Sequence, residues 1–338
     1  MKSGPYGDMD AAQPLPYRID ELRQSGFDLA WTDEHLIGGW GRVARTERFL
    51  VPWVQAWLTR KQRRRATATV AMFESEGHGL ACFRVATGRR KPPLIIIGCW
   101  LADLARIGGW RRRLYRRLYR SVDGVVVFSS NQRDTLVELL DIEPRRVHVV
   151  PFGVDLERLR SVSTSESGAV IAAGRDLGRD WPTLALAARE SDWSVQLFTR
   201  PQQVEGLDLP DEIDFRGAVE AESYMSALAA ASVVVIPTHV REYPTGQTVM
   251  LEAMALGKAC VVTDTPAMRD YVRHGVNGLL IPPSDPEALR RAVDELLADP
   301  VRRARLSEGA AAFSESTGGA AAMWARVGSV VEALAQGM

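Results

Sequence analysis

Cysteine is scarce in this chain. There are three in 338 residues, Cys82, Cys99 and Cys260, an odd number with neither CxxC nor zinc-ligand spacing. That excludes a disulfide framework and a thiolate metal site. It leaves all three as small core residues in a reducing cytoplasm. Long apolar runs are lacking as well: no stretch reaches the roughly 18 residues of a membrane-spanning helix. The opening MKSGPYGDMD has no apolar segment behind its lysine and is not expected to act as a signal peptide. Net charge is zero, from 42 basic and 42 acidic residues, but the two signs are segregated. Residues 1–150 hold 25 basic and 16 acidic side chains, a balance of +9, and the remainder is correspondingly −9. A basic half joined to an acidic half suggests two domains with different partners, or halves that attract each other.

What is present is a repeating pattern. At this length two cores are expected. Short β-branched runs bounded by Gly, Pro or Asp predict strands over 168–174, 194–198, 212–217, 232–237, 258–264 and 277–282. Helical patterns lie between them at 181–190, 220–231, 247–256, 266–273 and 285–298. Alternation at this spacing means βαβ units and a parallel sheet, with ligands at the carboxyl ends of the strands. The first half repeats the scheme, with strands expected at 27–32, 67–73, 93–98, 124–129 and 146–151 and helices at 16–25, 47–62, 78–88, 101–121 and 130–140. The expected division is an amino-terminal domain over 1–152, a linker over 153–167, a second domain over 168–318, and a closing helix over 319–338 that returns to the first domain.

The stretch PTGQTVMLEAMALGK (244–258) places a proline, a glycine and small polar residues before an apolar helix. An N-cap alone does not require Gly246 and Gln247. Free backbone N–H groups of Gly246, Gln247 and Thr248 at the positive end of a helix dipole would suit an anion. GRDLGRDW (174–181) puts Arg175 and Arg179 in a second strand-to-helix loop. Two arginine forks can clamp a diphosphate, or can pair with Asp176 and Asp180 as surface ion pairs. Glu252 is either a solvent-facing helix residue or an acceptor for a ribose diol, and diphosphate donors with a diol acceptor together spell a nucleoside diphosphate.

PTGQTVMLEAMALGKACVVTDTPAMRDYVRHGVNGLLIPPSDPEAL (244–289) resembles the donor-binding region of retaining glycosyltransferases of family 4, which have the GT-B fold. VVPFGVDLERL (149–159) and GRDLGRDWPTL (174–184) are similar to the family's linker and Gly-Arg…Lys loop. The resemblance implies an α/β protein of two Rossmann-like doubly wound domains facing across a cleft. It implies a transferase that moves a sugar from a nucleotide-diphosphate sugar to a hydroxyl acceptor with retention, with no metal and no other cofactor. Arg175 and Arg179 would grip the diphosphate, Arg179 standing where the family usually has lysine, and Glu252 would hold the ribose. Three positions depart from the pattern. Pro244 replaces the first Glu of Glu-x7-Glu, with Glu242 two residues earlier as its substitute. Cys99 and Trp100 stand where many members have histidine. The family's amino-terminal glycine loop is matched only by Ser3-Gly4-Pro5, which makes Gly4 a donor-binding candidate.

In the first half, FESEGHG (73–79) offers Glu74, Glu76 and His78 as acceptor contacts or a base. The alternative is a helix N-terminus, where the dipole favours acids. Trp100 is a further sugar-contact candidate. GWRRRLYRRLYRSVD (109–123) reads as a helix with Trp110, Leu114, Tyr115, Leu118 and Tyr119 on one face and arginines around the rest, and TRKQRRR (59–65) adds a second basic cluster. Basic amphipathic helices suit the inner face of an anionic membrane, and a packed helix with a solvated basic face accounts for the same residues. No nucleic-acid motif accompanies the charge. The acceptor is expected to be a lipid-linked sugar or a small metabolite. An epimerase or phosphorylase on the same fold, or a non-catalytic binding subunit, are the competing readings.

Overall fold

The computed structural model describes residues 18–24, 26–29 and 56–337; Gly4 and the second half of the strand expected over 27–32 lie outside them, and residues 27–29 are not in a strand. The chain divides into two compact units, Met1–Val150 with Trp324–Met338, and Pro151–Met323. Each is built on its own parallel sheet.

In the first unit the runs TVAM, LIIIG, GVVV and VHV form β1 (Thr69–Met72), β2 (Leu94–Gly98), β3 (Gly124–Val127) and β4 (Val147–Val149). They pair in that order, all parallel. β2 and β3 are buried throughout, as expected of strands covered on both faces. The helix expected over 101–121 is two helices, Leu101–Arg106 and Gly109–Tyr119. Gly108 and Gly109, at φ +77° and +60°, take the left-handed backbone that breaks it. The expected stripe splits likewise. Leu118 and Tyr119 are buried, while Trp110 remains 68% exposed and Leu114 is exposed. Arg112 donates to the Ala105 carbonyl at 2.8 Å and Arg116 to that of Leu139 at 3.1 Å. Two arginines of the basic face therefore tie helix ends together.

The second unit carries β5 (Ala169–Ala173), β6 (Val195–Phe198), β7 (Ile213–Phe215), β8 (Ala231–Ile236), β9 (Ala259–Thr263) and β10 (Leu279–Ile281). Their spatial order is β10-β9-β8-β5-β6-β7, all parallel. Strand order reverses direction between β5 and β8. Asp180, Asp285 and Asp299 each cap a helix that begins with proline in its first two positions, Trp181–Ala188, Pro286–Ala298 and Pro300–Ser316. The last of these was not expected from periodicity, although Asp299-Pro300 marks its start. The segment 153–167, expected as a linker, contains the helix Leu156–Arg160, and Val154 bridges to Gly319. Helix 266–273 reduces to the 3-10 turn Met268–Asp270. The last helix, Ala320–Gln336, begins in the second unit and from Trp324 onward belongs to the first. Among the described residues no helix is long and apolar enough to cross a membrane.

Candidate functional site

The reversal between β5 and β8 leaves a crevice beyond their carboxyl ends, where open parallel sheets bind ligands. Two loops meet there. One runs from Gly174 to Asp180 after β5; the other runs from Pro237 to Gly246 after β8 and ends at the helix Gln247–Ala255. An antiparallel bridge between Arg179 and Thr238 joins them, supported by Asp180 N–H donating to the Pro237 carbonyl at 3.0 Å.

Arg179 is the centre of this arrangement. It is 6% exposed, and its Nε donates to Asp176 Oδ2 at 3.0 Å. Its Nη1 is buried without a hydrogen-bond partner. The guanidinium fits because both flanking positions lack a side chain. A Cβ on Gly174 would lie 2.2 Å from Arg179 Nε, and one on Gly246 would lie 2.7 Å from Nη1 and 2.5 Å from Ile236 Cγ2. Gly178 makes the same allowance for Thr245, whose Cγ2 would be 2.5 Å from an added Cβ. The hydroxyls of Thr245 and Thr238 are also buried and unpartnered. One guanidinium nitrogen and two hydroxyls thus stay unpartnered where the two loops meet, which is costly unless a ligand or water completes them.

The ion-pair alternative holds for Asp176 only. Asp180 turns away to accept from Thr183 N–H and Oγ1 at 3.2 and 2.8 Å, and lies 3.7 Å from His239 Nδ1. Arg175 is exposed, with its carbonyl tied to Gln203 Nε2 at 2.6 Å. Of the three backbone donors expected at the helix start, that of Gln247 is taken by the Pro244 carbonyl at 3.2 Å. Those of Gly246 and Thr248 have no acceptor among the described residues. Gln247 contributes instead by accepting from the Tyr271 hydroxyl at 3.3 Å. Pro244 is buried and Glu242 half-buried in the same loop.

Glu252 lies one turn and a half along the helix, half-buried, and does not face open solvent. Burial pushes its carboxyl up to about 7, opposed by the Tyr224 hydroxyl, which donates to Oε2 at 3.0 Å, and by the charges of Arg158 and Arg175. Burial and the neighbouring Glu252 hold the Tyr224 phenol well above its ordinary value. Tyr224 escaped the sequence reading because it comes from another helix, Ala221–Ala230. No local signal tells that its ring meets Glu252.

The first-unit candidates do not form one group. Phe73, at φ +67°, turns β1 sharply into the helix Phe73–Thr87, so Glu74, Glu76 and His78 lie in its first two turns. Glu74 is 3% exposed and accepts from Leu101 N–H at 2.6 Å, which anchors the start of the next helix. Burial raises its carboxyl to about 7, and its Oε2 is unpartnered. Glu76 is half-buried beside Ser75, whose hydroxyl donates to it at 2.7 Å. His78 points elsewhere. It stacks on Tyr115 at 5.0 Å and meets Tyr119 edge-on at 5.8 Å, and burial pushes its pKa down to about 4. Burial disfavours its protonated form, which makes it a weaker base. Trp100 is exposed, with its ring 5.7 Å from that of Phe73. No group of three or more His, Cys, Asp or Glu is placed to hold a metal among the described residues.

Residues 175–299 match the family described as glycosyl transferases group 1, and residues 48–158 match glycosyltransferase family 4. A D-inositol 3-phosphate glycosyltransferase of Frankia alni is 30% identical over 219 residues, 55% of this chain and 53% of its own length. One from Xylanimonas cellulosilytica is 32% identical over 231 residues, 58% of this chain and 54% of its own. The chain thus spans about half the length of these relatives. Among solved structures, sucrose-phosphate synthase of Thermosynechococcus elongatus superimposes with a TM-score of 0.72 at 20% identity, covering 87% of this chain and 80% of its own. Anabaena HepE in complex with UDP-glucose does so with a TM-score of 0.68 at 17% identity, covering 82% of each chain. At such identities the likeness establishes the fold. One family match falls on each half, and the chain has the two-domain parallel α/β architecture of the GT-B glycosyltransferases.

Proposed function

We propose that the chain is a glycosyltransferase that takes a sugar from a nucleotide-diphosphate donor, with retention, and delivers it to a hydroxyl acceptor. The observation that carries this is Arg179, held between Gly174 and Gly246 at the switch point with one buried guanidinium nitrogen unpartnered. Charge grows on the diphosphate as the sugar leaves, and a preorganised donor aimed at it stabilises the transition state without reorganising. Free N–H groups of Gly246 and Thr248 add the helix-dipole end. Arg175, exposed at the loop tip, closes over the outer phosphate. Glu252, held by Tyr224, accepts from the ribose diol. The UDP-glucose bound by HepE supports a uridine donor. The relatives' name supports a small phosphorylated acceptor over a lipid-linked one. A panel of nucleoside diphosphates tests the core claim. UDP at a hundred times its Kd should stabilise the fold by about 2.7 kcal/mol, read as a raised Tm. A Tm that no nucleoside diphosphate moves overturns it.

Glu252 gives a pH-dependent check. An ionised carboxylate is the stronger acceptor, and this one titrates near 7. Nucleotide affinity should therefore climb between about pH 6 and pH 8 and then level off. Glu252→Ala should cost ~1.5–3 kcal/mol of donor binding, the range for hydrogen bonds to charged groups. Stability runs the other way. The unfolded carboxyl titrates near 4.5 and the folded one near 7, so the folded state holds the extra proton between them and loses stability as pH rises through that window. At pH 8 Glu252→Gln should stabilise the ligand-free protein by about 1–3 kcal/mol while weakening nucleotide binding. Calorimetry and denaturation of the one variant read both. Unchanged nucleotide affinity removes Glu252 from the site.

One feature favours a second reading, a donor-binding subunit without transferase activity. Pro244 cannot supply the first carboxylate of the Glu-x7-Glu pattern. Release of free sugar from the donor by the purified protein, absent in Arg179→Ala, decides for the enzyme.

A further inference from the structure

None of the residues of the basic cluster at 59–65 is among those assigned to the donor, and the structure gives the cluster a definite setting. Six cations, Arg60, Arg63, Arg64, Arg84, Arg89 and Lys91, line one open, shallow pocket. It lies at the amino end of the first sheet, where Thr69 and Leu94 begin β1 and β2. Glu74 and Trp100 sit at the opposite end of those strands. No carboxylate lines the pocket among the described residues.

The six charges are not equivalent. Arg84 is buried and spoken for: Nη1 donates to Asp123 at 2.6 Å and to the Ser121 carbonyl at 2.5 Å, and Nη2 donates to the carbonyls of Arg90 and Pro92. Arg60 donates to the Trp57 carbonyl at 2.7 Å, with its guanidinium 3.9 Å over the Trp57 ring. Arg63 donates to Thr59 Oγ1 at 3.1 Å and to the Ala56 carbonyl, and lies 5.2 Å from the Phe83 ring. Both are oriented by neutral partners, and neither has an ion pair among the described residues. Burial and the charge of Arg84 push the Arg63 pKa down, a sign of crowding. Arg64, Arg89 and Lys91 have exposed side chains at the mouth, which make no hydrogen bond or ion pair among the described residues. Asp123 pairs with Arg84, and among the described residues no carboxylate pairs with the other five.

A solvated basic face spreads its arginines outward. This one converges them on a recess floored by Leu80 and Phe83, where the repulsion is less screened than in water. A bound anion removes that cost. Arginine forks and a lysine point charge converging from several sides match the oxygens of a tetrahedral dianion. We propose that this pocket binds a phosphate group, the moiety shared by soluble phosphate esters and phospholipid headgroups. It is a site separate from the donor crevice. Trp57 and Leu58 are 55% and 39% exposed on the adjoining segment, where they would meet the interface if the phosphate belongs to a lipid.

The test uses the full chain and a variant carrying Arg64→Ser, Arg89→Ser and Lys91→Ser, three exposed positions whose loss should leave the fold and UDP binding unchanged. Inorganic phosphate is titrated calorimetrically against chloride at constant ionic strength. The wild type should bind, and the triple variant should bind at least about tenfold more weakly, since one charge-assisted hydrogen bond is of that size. The titration is repeated in Arg175→Ala, which must keep the signal, so that phosphate in the donor loop is not mistaken for phosphate in the pocket. Co-sedimentation with phosphatidylglycerol and phosphatidylcholine vesicles identifies the source. Pelleting with the anionic vesicles alone, lost in the triple variant, assigns a headgroup. Phosphate binding without pelleting assigns a soluble ester. No phosphate binding by the wild type, or equal binding by the triple variant, overturns the proposal.

Discussion

Arg179→Ala is expected to lower kcat for sugar transfer by about 10²–10³-fold, the scale for removing one preorganised donor to a developing charge. The geometry makes Arg179, and not Arg175, the residue with the larger effect. Its guanidinium is fixed by Asp176 and by the two glycines before any ligand arrives, so the proposed interaction with a leaving diphosphate would carry little ordering cost. Arg175 starts exposed and must be ordered by the ligand. Arg175→Ala should therefore raise KM more than it lowers kcat, the mark of binding shared by ground and transition states. Arg179→Lys restores a charge but not the fork that spans Asp176 and the ligand, and should recover part of the lost rate. Steady-state kinetics on the three variants decides. Equal losses in kcat for Arg175→Ala and Arg179→Ala would contradict the assignment, and so would a wild-type kcat in Arg179→Ala.

Gly246→Ala should be as damaging, through a position that never touches the sugar. Gly246 has φ +84°, a conformation that costs an L-residue about 1–2 kcal/mol. The added Cβ would also lie 2.5 Å from Ile236 Cγ2 and 2.7 Å from Arg179 Nη1. Ile236 closes a wholly buried strand and has little room to move. The relief must come from Arg179 or from the loop itself, and either shift would disturb the proposed donor site. We expect a stability loss of about 2–4 kcal/mol, the strained backbone and the overpacking together, with UDP affinity down at least tenfold. Chemical denaturation and nucleotide calorimetry measure the two. Wild-type UDP affinity in a folded Gly246→Ala protein would show that the close approach of loop and arginine is unrelated to the donor.

Much of the second unit was determined by the sequence itself, because its signals are local. A run such as SVVVIP can be buried on both faces only as a central strand. Asp-Pro pairs start helices by an i to i+3 hydrogen bond that needs no distant partner. The helix start after Gly246 and the arginines after β5 were legible for the same reason: cap chemistry and strand-end position lie within a few residues of each other. In the first unit Gly108-Gly109 broke an apparently continuous helix, since helical periodicity does not register two residues in the left-handed region.

Tertiary structure decided what the sequence leaves open, namely which local pieces become neighbours. The order β10-β9-β8-β5-β6-β7 sets the loop after β5 beside the loop after β8, though the bridged residues Arg179 and Thr238 lie far apart in the chain. Only that pairing turns two arginines and a helix cap into one crevice. It also chose between Asp176 and Asp180, which have equal chemistry, by turning one toward Arg179 and the other into a helix cap. Burial set the protonation states. Glu252 and Glu74 are raised to about 7 and His78 is lowered to about 4 by desolvation, which depends on how many other segments cover a side chain. The basic pocket has the same origin. TRKQRRR alone is a charged run, and it becomes a recess only where β1, β2 and the Phe73–Thr87 helix bring Arg84, Arg89 and Lys91 to face it, because charges far apart in sequence repel or cooperate according to distance in space.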